Sequence, residues 1–305
     1  MARPIIIDTD PGIDDAVAIL LALASPELDL LGVAAVAGNL PLAATSRNAR
    51  AILELAGRRD IPVYAGCPRP IGPNRVDAVP VHGEDGLGGL GLPEPTAPPR
   101  PTHGVMYLVE TLRRAAPASL TLCALGPLTN VAMALVMAPE CATGIAELVI
   151  MGGGTRGNVT PAAEFNIHCD PEAAAIVFDS GVPITLVPLD VTREVRSTAE
   201  RIAPIAALGT RCGGIAAELL GPRHALGLPA IPMHDPCVIA YLLAPELFES
   251  SEAHVGIETR SPLTLGMTVI DRRGRGGRPK NARVLHAVDA DGVYRLLADR
   301  LGRLP

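Results

Sequence analysis

Residues 5–15 read Ile5-Ile6-Ile7-Asp8-Thr9-Asp10-Pro11-Gly12-Ile13-Asp14-Asp15. The three isoleucines after Pro4 read as a buried strand, since β-branched apolar runs suit a sheet covered on both faces. Pro11 and Gly12 read as a turn, and Ala16 to Ala24 as a helix. Four aspartates therefore crowd a strand-to-helix loop, at the carboxyl end of a strand. Open α/β sheets bind their ligands at that edge. Like charges at such range raise one another's pKa unless a cation neutralises them. A hard divalent cation, Ca²⁺ or Mg²⁺, suits an oxygen-only donor set. Helix capping is the plainer account, because Asp14 could cap and acids favour a first turn. It explains one or two of these residues but not Asp10 as well.

Outward from this stretch, strand-like and helix-like runs alternate. Leu30 to Ala37, Ile61 to Tyr64, Leu120 to Ala124, Glu147 to Met151 and Ile184 to Leu189 read as strands. Ala43 to Ala56, Leu128 to Met137, Glu172 to Asp179 and Cys237 to Leu243 read as helices. The alternation predicts an α/β fold with a doubly wound, mostly parallel central sheet flanked by helices. No composition shift divides the chain, so 1–305 is expected to be a single domain. Pro68 to Thr102 is rich in Pro and Gly and reads as a long loop near the site. Arg193 to Leu228 reads as helical. Arg272 to Arg278 (RRGRGGR) reads as a solvated hairpin turn rather than a nucleic-acid patch.

Composition narrows the function classes. The chain is 48% hydrophobic with 2% aromatics and no Trp, so its core must be Ala, Val, Leu and Ile. Net charge is −6 with no long basic block, which argues against a phosphate-neutralising face and nucleic-acid binding. No unbroken apolar run reaches membrane-spanning length, and the chain opens directly on a strand, so no signal peptide is expected. None of Cys67, Cys123, Cys141, Cys169, Cys212 and Cys237 forms a C-x-x-C pair. Reduced thiols in a cytoplasmic protein are expected, without zinc.

Two further clusters carry polar groups. Gly152, Gly154 and Gly157 fit G-x-G-x-x-G, but a dinucleotide fingerprint must open a helix and Asn158 to Pro161 reads as loop. Asn158, Glu164 and Asn166 are short polar groups suited to sugar hydroxyls, or equally to turns. In Met233-His234-Asp235-Pro236, Asp235 before Pro is an ordinary helix start. Joined to the Asp10 and Asp15 group it becomes an oxygen ligand, and His234 beside it suits proton transfer near neutrality.

Together these clusters resemble the inosine–uridine preferring nucleoside hydrolases. The resemblance rests on residues 8–23 (DTDPGIDDAVAILLAL), Gly38-Asn39, His82-Gly83 and Gly126-Pro127-Leu128-Thr129-Asn130. It continues through residues 157–174 (GNVTPAAEFNIHCDPEAA) and His234-Asp235-Pro236, and ends around Gly266 to Asp271. It implies hydrolysis of the N-glycosidic bond of purine or pyrimidine ribonucleosides. By that likeness Asp10, Asp15, Asp235 and the Leu125 carbonyl would hold one Ca²⁺, and Asp10 would act as general base. Asp14, Asn39 and Asn166 would grip the ribose diol, with Asn158 and Glu164 on the 5′-hydroxyl and Phe165 beside them. Asn166 would also help stabilise the sugar cation. His82 and His234 would face the base, His234 protonating it, and Met151 would pack beneath the ring. The family implies a homotetramer or homodimer working in nucleoside salvage.

The chain departs from the family pattern at Leu125, where many relatives have Thr, and at Gly221 to Gly227, where relatives often carry Tyr. Neither Pro222 nor Leu226 supplies an aromatic ring to stack or a phenol to donate, and His224 is the available donor. Two rival readings stand beside this one. A Ca²⁺-stabilised nucleoside binder would share the acids without turnover. A haloacid-dehalogenase-type phosphatase would share Asp8-Thr9-Asp10, but it needs a lysine between the opening acids and a late acidic pair. The single lysine, Lys280, lies too far along.

Overall fold

The computed structural model describes residues 2–73, 78, 83–221 and 230–305. Nine strands form one sheet: β1 (Arg3–Thr9), β2 (Leu28–Ala35), β3 (Val63–Ala65), β4 (Leu120–Ala124), β5 (Ile145–Met151), β6 (Ile184–Val187), β7 (Phe248–Ile257), β8 (Thr268–Asp271) and β9 (Ala282–Val288). Their order is β3-β2-β1-β4-β5-β6-β9-β7-β8. Pairing is parallel from β3 through β9, and β7 runs antiparallel to both β9 and β8.

The pleat of β1 splits the core in two, because alternate side chains leave a strand on opposite faces. Ile5 and Ile7 join the layer of helices α1 (Ile13–Leu23), α2 (Leu42–Leu55) and the later helices from Ala199 onward. Ile6 joins the layer of α3 (Gly104–Arg114), α4 (Thr129–Met137) and, beyond the short helix α5 (Phe165–Cys169), α6 (Pro171–Phe178). Both layers are built almost wholly from aliphatic residues. The doubly wound, mostly parallel sheet flanked by helices is therefore present. The strand order reverses between β1 and β4. In such sheets that reversal opens a crevice at the carboxyl ends, and it is where the loop of aspartates sits.

Three expectations change. The stretch read as one helical region from Arg193 breaks into α8 (Ala199–Ala206) and α9 (Arg211–Leu219). Gly209 between them has φ +72°, a left-handed turn that suits glycine, and Thr210 caps the second helix through the Gly213 N–H. Residues 222–228 of that region lie outside the described residues, and His224 with them. The basic segment Arg272 to Arg278 is exposed, as expected, but it is not a hairpin turn. β8 pairs with β7, so the segment must pass β7 to reach β9. Finally, residues 104–114 and 290–301, read above as neither strand nor helix, form α3 and the last helix α11 (Ala290–Leu301), after α10 (Pro236–Leu243).

Candidate active site

The loops after β1, β2, β4 and β5 converge, and the start of α10 closes on them. Gly12, not Asp14, is the residue that precedes α1. Asp15, three residues into the turn, accepts the Gly12 N–H at 2.9 Å, as an acid at a helix start can. It also accepts from Thr9 Oγ1 at 2.5 Å and from Asn39 Nδ2 at 3.3 Å. Asp10 Oδ2 accepts the Asn39 N–H at 2.6 Å. Asp10 Oδ1 is buried and, among the described residues, has no hydrogen-bond partner. Asp235 directly precedes α10, with Pro236 at its first position, yet its carboxylate makes no capping bond. Asp14, half-buried, accepts the His234 N–H at 3.3 Å.

Ligand oxygens of Asp14, Asp15 and Asp235 lie within 4.8 Å of one another. Burial, reinforced by Asp15 and Asp14, holds the Asp10 carboxyl well above the usual range. Burial and the charges of Asp14, Asp15 and Asp10 do the same to Asp235. A group of acids that destabilise one another, with one buried oxygen left unpaired, fits a cation, which reverses the sign of each repulsion. The donors are all oxygens, as a hard cation requires. This acidic cluster could hold a metal ion.

The second wall is built by the segment after β5. Glu164 caps the short helix Phe165–Cys169. It accepts the N–H groups of Asn166 at 2.9 Å, Ile167 at 3.1 Å and Gly153 at 2.9 Å. Burial raises its pKa. Asn166 Nδ2 donates to the Leu125 carbonyl at 2.7 Å and to the Met151 carbonyl at 3.2 Å. Met151 is buried beside it, its sulfur 3.6 Å from the same nitrogen. Asn158 is exposed and accepts the Phe165 N–H at 2.9 Å. The glycine-rich turn opens no helix at Asn158, so a dinucleotide fingerprint is absent there. On the far side, His234 Nδ1 stands 2.7 Å from Thr192 Oγ1.

The inosine-uridine preferring nucleoside hydrolase family matches residues 5–295 of this chain. The chain belongs to that family. Among relatives of this nucleoside hydrolase, the pyrimidine-specific ribonucleoside hydrolase RihA of Escherichia coli K12 is 47% identical over 308 residues, covering 99% of each chain. A solved plant nucleoside hydrolase, PpNRh1, superposes with a TM-score of 0.91 at 33% identity over 99% of each chain. A purine-preferring ribonucleoside hydrolase from Gardnerella vaginalis gives 0.90 at 30% identity over 98% of each. This nucleoside hydrolase is thus an N-ribosyl hydrolase acting on ribonucleosides, and the phosphatase reading falls away.

Of the residues singled out in the sequence, Asp10, Asp14, Asp15, Asn39, Leu125, Met151, Glu164, Asn166, His234 and Asp235 take part in this one constellation. His82 lies outside the described residues. Sequence reasoning passed over Thr9 and Thr192, whose hydroxyls meet Asp15 and His234. Thr9 sits within the opening motif and could have been found there. Thr192 lies 42 positions from its partner, with no local signal. Among the described residues no helix is long and apolar enough to cross a membrane.

Proposed function

We propose that this chain hydrolyses pyrimidine ribonucleosides, uridine and cytidine, to free base and ribose with the help of one Ca²⁺. The observation that carries the reading is the grouping of the Asp14, Asp15 and Asp235 carboxylates, with the buried Asp10 beside them close enough for Asp15 and Asp14 to raise its pKa. Asp10, Asp15, Asp235 and the Leu125 carbonyl are the proposed holders. Asp14 stands within the same cluster but is assigned to the ribose diol, with Asn39 and Asn166. When bound, the cation supplies the positive charge that lets the acids ionise together, acidifies a water and fixes the diol.

The chain's own groups account for the rest. Asp10, whose Oδ1 has no hydrogen-bond partner among the described residues, would be the general base. As the glycosidic bond breaks the sugar gains oxocarbenium character, as in glycosidases. The acids and the side-chain carbonyl of Asn166 stabilise such charge best in a buried, prearranged site. His234 donates a proton to the departing base, help typically worth ~10²–10⁴-fold. His82 is assigned to the base side too. Phe165, Asn158 and Glu164 flank the 5′-hydroxyl end, and Met151 lies beneath the ring. The preference for pyrimidines rests on the relative at 47% identity, against 30% for the purine-preferring structure.

The test is sugar release from uridine, cytidine, inosine and adenosine, with and without chelator. Release from the pyrimidines that a chelator abolishes and Ca²⁺ restores is the expected result. Faster release from inosine would overturn the pyrimidine assignment. Activity untouched by chelator would overturn the metal. We also propose a cytoplasmic homotetramer or homodimer, which light scattering on the purified chain would check.

A further inference from the structure

β6 runs into a single helical turn, Leu189–Thr192 (α7), which lies against the glycine-rich segment after β5. The two meet at every second residue of that segment. The Leu189 N–H donates to the Gly153 carbonyl at 3.0 Å. The Asp190 carboxylate accepts the Thr155 N–H at 2.8 Å and the Thr155 hydroxyl. The Arg193 guanidinium, just past the turn, donates to the Gly157 carbonyl at 2.6 Å. Between the first two anchors α7 packs on bare backbone. A methyl on Gly154 would stand 3.1 Å from both Asp190 Oδ2 and Leu189 Cβ. Asp190 and Arg193 are both half-buried.

The same segment is tied on its other side to the ribose wall. The Gly153 N–H donates to Glu164 at 2.9 Å, and Asn158, directly after Gly157, accepts the Phe165 N–H at 2.9 Å. The backbone of residues 153–158 is thus strung between α7 and the start of α5. A glycine-rich stretch has little stiffness of its own, so its path is set by these anchors. We infer that Asp190 and Arg193 are positioning residues for the 5′ end of the ribose. They fix the segment, and through it the Asn158 and Glu164 side chains, where those meet the 5′-hydroxyl. This rests on the reading of Asn158 and Glu164 as the 5′-hydroxyl contacts. Asp190 and Arg193 act through them and touch no substrate atom. Their loss should therefore be felt only by a substrate that carries the hydroxyl. Binding energy from such a remote group can appear in kcat as well as in KM, so kcat/KM is the quantity to read.

The experiment compares uridine with 5′-deoxyuridine, which lacks only that hydroxyl, on the parent, Arg193→Met, Asp190→Ala and Asp190→Asn. Where turnover of the deoxy compound is slow, its Ki as a competitor of uridine gives the same comparison. The parent should prefer uridine. Losing one anchoring hydrogen bond corresponds to roughly a 3- to 10-fold effect. Arg193→Met and Asp190→Ala should each lower kcat/KM on uridine by that factor and leave 5′-deoxyuridine unchanged, so the preference shrinks. Asp190→Asn, which keeps the shape and an acceptor oxygen for the Thr155 N–H, should stay close to the parent. Equal loss on both substrates would make α7 a packing element and overturn the inference. So would a preference for uridine that neither Arg193→Met nor Asp190→Ala reduces, or an Asp190→Asn variant as impaired as Asp190→Ala. A parent that handles both substrates alike would instead overturn the 5′-hydroxyl reading of Asn158 and Glu164. Parent-like values on 5′-deoxyuridine also show that the fold and the acids of each variant are intact.

Discussion

A methyl group placed on Gly126 would stand 2.4 Å from Oδ1 of Asp10. On the other side of the same carboxylate, a methyl on Gly38 would stand 2.1 Å from Oδ2. The Asp10 side chain is held in a slot between two backbones that only glycine leaves open. The two short motifs that flank it, Gly38-Asn39 and Gly126-Pro127, therefore serve the carboxylate as much as the turns.

Gly126→Ala should push Asp10 out of this slot. Overpacking of this kind typically costs ~1–3 kcal/mol, so a lower melting temperature is expected by calorimetry. Because the displaced group is the proposed base, kcat on uridine should fall by about tenfold or more, well beyond the stability loss. A variant as active as the parent would mean that Asp10 can move without consequence.

The acids differ in what they should lose. Asp15→Asn and Asp235→Asn should weaken Ca²⁺ binding by isothermal calorimetry by more than ~100-fold, beyond what loss of an outer-shell partner costs. Asp14→Asn should keep Ca²⁺ and raise KM. In chelator the order turns round. Asp235 is held above its usual pKa by burial and by its neighbours, so Asp235→Asn should melt higher than the parent when no cation is present. A lower melting point in chelator would contradict the repulsion described here.

Asp8, which lies outside the group of Asp14, Asp15 and Asp235, supplies a pH prediction. It is fully buried, and burial raises its carboxyl from 3.8 to about 7, although Asn130 Nδ2 donates to it at 2.8 Å. Between pH 3.8 and about 7 the folded state holds the proton that the unfolded state has released. Stability from this residue therefore falls as pH rises through that window and levels off above it. The penalty at pH 8 is at most ~4 kcal/mol. Asp8→Asn should raise the melting temperature at pH 8 and leave it nearly unchanged at pH 4. A flat difference across that range would show that Asp8 is not protonated in the fold.

Glu164 is read as a ribose contact, yet three backbone N–H groups already occupy its oxygens. Glu164→Gln places an amide N–H against such a donor. An unsatisfied buried group costs ~1–3 kcal/mol, so the variant should melt lower and show a higher KM for uridine. A KM change without a melting change would make Glu164 a ligand only.

Much of this was legible in the sequence, for physical reasons that differ by element. The βα alternation announced the sheet because buried parallel strands are continuous apolar runs, and Ile5 to Ile7 is one. Boundaries drifted by about two residues, as at β2, because apolar residues continue past the last ladder bond. The late strands were harder. Which strand pairs with which is decided over long range, so RRGRGGR looked like a hairpin when it bridges non-neighbours. In the site, the acids declared themselves by crowding in one loop. Asp235 read alone as an ordinary helix start and gained its meaning only beside the other clusters, and Thr192 left no local signal at all. A hydroxyl 42 residues from its imidazole leaves no pattern until the chain has folded.

The acidic cluster joins the beginning of the chain to its last third, since Asp15 and Asp235 share it. During synthesis the first acids leave the ribosome long before the last. Contacts of such separation are the slowest to form, and domains emerge amino end first. The growing polypeptide thus carries Asp14 and Asp15 without their third acid until Asp235 and α10 arrive. Catalytic competence is therefore acquired late, only once Asp235 has joined the acids of the first loop.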